Sequence, residues 1–190
     1  EDAETEKAVY NRLQGSEVRT PRLLSSDKCE LKLSYVEGVT FTELLERQER
    51  AGSPDFEPWE KLVNWLCCFY GSTGLIMGDC NLRNFILDAQ GRVCGIDFEH
   101  CREGSLASMA GAVCAFVELY DPQETPLKMS VSHFLQEVFS ENADISVQKL
   151  AEETERRHRM LAERREHPQL VAAFSAVILA AGKSSRMGSC

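Results

Sequence analysis

Two short apolar runs, Phe85-Ile86-Leu87 and Val93-Cys94-Gly95-Ile96, constrain this chain more than any other feature. Each is too short to be a helix of ordinary length, and Gln90-Gly91 between them is turn chemistry. The pair therefore reads as two strands folded back on each other. Polar residues sit at the ends of the runs: Asp79 and Asn84, with four residues between them, precede the first, and Asp97 and Glu99 follow the second. Pairing of the strands would hold Asn84 and Asp97 on the same rim.

The surroundings read as a small helical domain with short strands. Glu6 to Leu13 has an amphipathic pattern that Gly15-Ser16 stops, and Thr20-Pro21 is an extended approach to the next element. Cys29 to Val36 alternates in part and reads as a strand. Thr40 and Glu43 form a capping box that opens a helix to about Arg50. After a Gly, Ser and Pro-rich loop, Trp59, Leu62, Val63, Leu66, Phe69 and Tyr70 make one stripe of a strong helix, ended by Gly71 to Gly74. Leu106 to Tyr120 is a nearly continuous apolar run, expected to be a buried helix broken at Asp121-Pro122. Leu127 to Phe139 is a further helix. A long charged helix is expected to start at an Asp144 cap and run to about His167, where Pro168 ends it, with Glu152/Arg156, Glu153/Arg157 and Glu155/Arg159 as i,i+4 pairs on a solvated face.

Length and composition narrow the function classes. The 190 residues suit one domain, or one domain and a fragment, and 43% apolar content is enough for a core. A formal charge of -9, with basic and acidic residues interleaved, argues against a nucleic-acid or anionic-membrane surface. No apolar run has the length of a membrane span. No signal peptide is visible; the chain begins with Glu1, which leaves room for a native N-terminus upstream. The eight cysteines show no CxxC pair, so they read as reduced thiols filling small core positions in a cytoplasmic protein.

Asp79, Asn84 and Asp97 are the residue types that phosphoryl transfer from a magnesium nucleotide requires. One carboxylate stands beside the attacking hydroxyl, and an amide and a second carboxylate hold metal ions. From Glu6 to about Pro122 the chain resembles the kinase-like phosphotransferases, and within them the aminoglycoside phosphotransferase and choline kinase branch more than the protein kinases. The resemblance implies a catalytic base at Asp79, metal positions at Asn84 and Asp97, and Phe98-Glu99 as the small-molecule-kinase variant of Asp-Phe-Gly. It implies ATP and Mg as cofactors and a small-molecule hydroxyl as acceptor. Glu6 matches the helix glutamate that pairs with a strand lysine. Tyr35 and Val36, within Ser34 to Gly38, look like the hinge whose backbone meets the adenine edge. Met77 stands where the family usually has His. The family's glycine-rich loop and lysine strand would precede Glu6, and only Glu1 to Thr5 do so here.

A separate signal closes the chain. Ala176 to Ala180 is an apolar run leading into a loop with Ala181, Gly182, Lys183, Ser184, Arg186 and Gly188, whose backbone and cations could cradle phosphates. It resembles the opening motif of molybdenum-cofactor and sugar-phosphate nucleotidyltransferases. The expected fold class is α+β: a protein-kinase-like fold, mainly the helical C-lobe with a reduced N-lobe over residues 1–168. Residues 169–190 would begin a truncated α/β nucleotidyltransferase-like domain. The expected activity is transfer of the ATP γ-phosphoryl group to a small-molecule hydroxyl, with a link to a nucleotidyltransferase step. The alternative is a non-catalytic kinase-like module that binds a ligand or scaffolds a C-terminal nucleotidyltransferase domain.

Overall fold

The computed structural model describes residues 2–27 and 30–166. The chain divides into one unit spanning Glu1–Arg157 and a second spanning His158–Cys190. Of the second unit, only the last turns of a helix fall among the described residues. The loop expected around Gly182 and Lys183 lies outside them, as do Cys29, His167 and Pro168.

Helix α1 (Asp2–Leu13) carries Val9, Tyr10 and Leu13 into the core, the amphipathic side that its sequence shows. Strands β1 (Leu23–Ser26) and β2 (Leu31–Leu33) follow as an antiparallel pair with Leu23 opposite Leu33. The strand expected from Cys29 to Val36 is therefore shorter: residues 34–38 leave the sheet, and Tyr35 is 89% exposed.

Strand β3 (Val39–Thr40) runs directly into helix α2 (Phe41–Ala51). Both halves of the capping box form. The Thr40 hydroxyl accepts from the Glu43 N–H, and the Glu43 carboxylate accepts from the Thr40 N–H at 2.8 Å. Helix α3 (Glu57–Thr73) is the central spine, with Trp59, Leu62, Val63, Leu66 and Phe69 fully buried. Gly74 ends it in the left-handed conformation, where a side chain would be strained.

Strand β4 (Leu75–Ile76) pairs with β7 (Arg102–Glu103). Between them lie a 3-10 turn (Leu82–Asn84), β5 (Phe85–Leu87) and β6 (Val93–Gly95). Strands β5 and β6 form the expected antiparallel hairpin, Phe85 opposite Gly95, and β3 adds on the far side of β5. Helix α4 (Leu106–Leu119) is buried almost throughout, packs on α5 (Pro126–Ala143), and is followed by a cis Asp121–Pro122 peptide.

Helix α6 (Val147–Glu166) starts later than expected. Asp144 adopts the left-handed conformation that closes α5, and Ser146 takes the cap by accepting from the Lys149 N–H. The first turns of α6 are solvated on one side only. Leu150, Glu153 and Thr154 are buried, and a Cβ at Gly111 of α4 would come within 2.6 Å of the Glu153 Cβ. Glu153 pairs with Lys149 and with Arg156 three residues on.

Candidate active site

The loop from Met77 to Asn84 is held from beneath by the core. Met77 and Cys80 are buried, and the Cys80 thiol, pushed up to about 12 by burial, is a packing group. The Met77 N–H points at the Met109 sulfur at 3.4 Å, so this position is filled by apolar packing and not by a histidine hydrogen bond. Gly78 lies against the His100 carbonyl: an added Cβ would stand 2.2 Å from that oxygen. The two acidic segments are thus pressed backbone to backbone.

Within the loop, the half-buried Asp79 accepts from the Asn81 N–H at 3.1 Å. The Asn84 amide, 4% exposed, donates to the Asp79 carbonyl at 3.2 Å. Asn84 is joined to the second segment as well, because its carbonyl accepts from the Ile96 N–H at 2.9 Å. The hairpin does what the two apolar runs imply, carrying Asn84 and Asp97 to one rim.

Asp97 has φ 64°, an uncommon conformation for a non-glycine residue, and it follows directly from the end of the hairpin. Its neighbour Phe98 is fully buried, edge-on to Tyr10 and stacked on Trp65 and Phe69. The buried ring fixes where the backbone must turn, and the turn leaves Asp97 on the solvent side. The crowding of protein around its carboxyl and then the charge of Asp79 hold Asp97 above the usual carboxylate range, with His100 and Arg83 acting in the opposite sense. Glu99 pairs with His100 at 3.2 Å.

Glu6 is brought to this site across 92 residues, accepting from the Phe98 N–H at 3.3 Å. Burial and the negative charges of Asp97 and Glu99 raise its carboxyl above the ordinary value. No salt bridge reaches Glu6 among the described residues. Tyr35, exposed, and Val36, half-buried, are on the stretch after β2, and among the described residues neither makes a hydrogen bond to this cluster.

Sequence inspection missed two contributors. Trp65 packs its ring over Gly95, where a Cβ would fall 2.3 Å from the ring, and its Nε1 donates to the Arg19 carbonyl at 2.9 Å. Its signal was present as an aromatic on the spine helix adjoining the apolar stripe. Arg83 lies in the loop between Asp79 and Asn84, exposed, and its guanidinium has no hydrogen bond or ion pair among the described residues.

The donor set is oxygen-rich and hard: two carboxylates and an amide. That set suits Mg, which takes one or two protein carboxylates and draws other ligands from substrate phosphates. Among the described residues no group of three or more His, Cys, Asp or Glu is placed to hold a metal by itself. The six described cysteines are free, and no described helix is long and apolar enough to cross a membrane.

No family model matches the chain, and no curated protein matches it. Solved structures do. The complex of WbdD with the kinase inhibitor LY294002 aligns over 76% of this chain and 36% of that one, at 16% identity and a TM-score of 0.48. A 2.2 Å structure of WbdD aligns over 81% and 41%, at 15% identity and a TM-score of 0.45. A third, of the bifunctional kinase-methyltransferase WbdD, aligns over 82% and 40%, at 14% identity and a TM-score of 0.46. The chain therefore spans about two fifths of the length of the solved chains it matches.

Proposed function

We propose that this chain carries the catalytic half of a phosphotransferase site that moves the γ-phosphoryl group of ATP to the hydroxyl of a small molecule. The observation that carries the reading is the convergence of Asp79, Asn84 and Asp97 on one rim, with each seated by a different piece of backbone. Burial and then the negative charge of Asp79 raise the proton affinity of Asp97, and a cation held at Asp97 would offset both.

Asp79 orients the acceptor hydroxyl and takes its proton as the oxygen attacks. Asn84 and Asp97 would hold Mg, which when bound neutralises the phosphate oxygens. The left-handed turn at Asp97 aims its carboxylate outward from the buried Phe98 ring. Asn84 stays oriented because its side-chain NH2 donates to the Asp79 carbonyl while its backbone carbonyl accepts from the Ile96 N–H. Glu6, half-buried and facing the negative charges of Asp97 and Glu99, suits pairing with a lysine. The free thiols fit a reducing compartment such as the cytoplasm. The residues from Ala176 onward would open a nucleotidyltransferase domain that acts on the phosphorylated product.

Calorimetry with Mg-ATP tests the metal-nucleotide half. Binding that requires Mg and is lost in Asp97→Ala is the expected result, and metal-independent binding would overturn the role of Asp97. Turnover tests the other half: Asp79→Asn should abolish phosphate transfer while nucleotide still binds.

A further inference from the structure

A cavity of about 380 Å³ lies between α2 and the turn joining α4 to α5, within the range of small-molecule sites. Its lining includes Glu46, Glu49, Arg50, Tyr120, Asp121 and Lys128. Lys128 is the feature that packing alone does not explain. It is 1% exposed, and its Nζ donates to the Tyr120 carbonyl at 3.0 Å and to the Pro122 carbonyl. An ammonium has three hydrogens. Its Nζ also stands 5.9 Å from the centroid of the Tyr120 ring, but among the described residues no third oxygen accepts from it and no carboxylate forms a salt bridge with it. A buried cation without a counter-ion is costly, so an anionic group entering the cavity is stabilised there.

The same cavity offers the opposite charge. Glu46 accepts from the Tyr120 hydroxyl at 3.0 Å, and Glu49 accepts from the Thr125 hydroxyl. Each carboxylate keeps a second oxygen. Asp121 and Arg50 add one exposed charge of each sign. A purely cationic ligand would leave Lys128 uncompensated, and a purely anionic one would meet Glu46 and Glu49.

We propose that this cavity binds a small hydroxylated zwitterion, with its anionic group on Lys128 and its ammonium on Glu46 and Glu49. The cavity shares helix α2 with the loop of Asp79. Helix α2 packs on the 3-10 turn that carries Arg83, and the charge of Arg83 acts on both Tyr120 and Asp97. The zwitterion is then the acceptor of the transfer reaction. That last step rests on the phosphotransferase reading; the charge selectivity of the cavity does not.

The test is calorimetry on the full chain without nucleotide, using three matched probes: L-serine with both charges, ethanolamine with the cation alone, and glycerate with the anion alone. Serine should bind at least about tenfold more tightly than either of the others, a difference of about 1.4 kcal/mol. Glu46→Gln, at an exposed position, should reduce serine affinity to near that of glycerate. Lys128→Met should reduce it to near that of ethanolamine, with circular dichroism confirming that this variant folds. Equal binding of all three probes, no binding of serine, or a Glu46→Gln protein that binds serine normally would overturn the proposal. Serine binding in a protein that does not bind Mg-ATP would keep the cavity and sink the phosphotransferase reading. Mg-ATP binding without serine binding would do the reverse.

Discussion

The stretch from Met77 to Cys101 and the two-stranded sheet β1–β2 are held in opposite ways. The first is anchored by fully buried Phe85 and Phe98 and by glycines pressed against neighbouring atoms on both flanks. The second exposes Leu24 at 55% and passes into a stretch where Tyr35 is 89% exposed. Groups that would handle charge are seated by the core, whereas the segment expected to meet an adenine edge has little core of its own. Precise placement of a carboxylate needs a rigid support, while a backbone edge that recognises a flat base needs only extended chain.

The comparison is broken most forcefully at Phe98. Replacing it with alanine empties a space lined by Tyr10, Trp65 and Phe69 and should cost about 3–5 kcal/mol in urea unfolding. A cost under about 1 kcal/mol would show that the acidic loop is not supported by this ring. Gly95→Val drives a side chain into the Trp65 ring and should cost about 1–3 kcal/mol, read in the same way. Thr40→Ala removes one half of the capping box and should cost about 1 kcal/mol. Tyr35→Ser, on the thin side of the comparison, should change stability by less than about 0.5 kcal/mol.

A pH experiment sharpens the same contrast. Asp97 and Glu6 hold their protons more tightly in the folded chain than in the unfolded one. As pH rises from the ordinary carboxylate range, the unfolded state ionises first and the folded state loses stability until the raised values are passed. Asp97→Asn should therefore melt at a higher temperature than the native chain at neutral pH, with the gain fading on acidification below the ordinary value. No gain at neutral pH would show that the carboxyl is not held against its neighbours.

Much of the site was legible in the sequence. The hairpin register follows from two apolar runs and a turn, so Asn84 and Asp97 had to share a rim. The Thr40–Glu43 box is a local pattern with a local cause. The Asp144 cap was misjudged because Asp144 and Ser146 are both competent capping residues. The choice fell to where α5 ends and where the close approach of Gly111 lets α6 begin. The outer-face reading of α6 holds for Glu152, Glu155, Arg156 and Arg159, which are exposed, but not for Glu153: charge alone does not reveal that a facing helix has a glycine into which Glu153 can pack.

By itself the sequence determined the elements whose cause is short-ranged: the hairpin, the capping box, the spine helix, and the order of Asp79, Asn84 and Asp97. Only the tertiary structure decided what depends on distant partners. Glu6 meets Phe98 across 92 residues, Lys128 is buried without a carboxylate, and Asp97 turns outward because Phe98 is gripped by three rings from α1 and α3. Hydrogen-bonding patterns within a few residues are written in their spacing, but burial and charge environment are sums over neighbours that the chain brings together only when it packs.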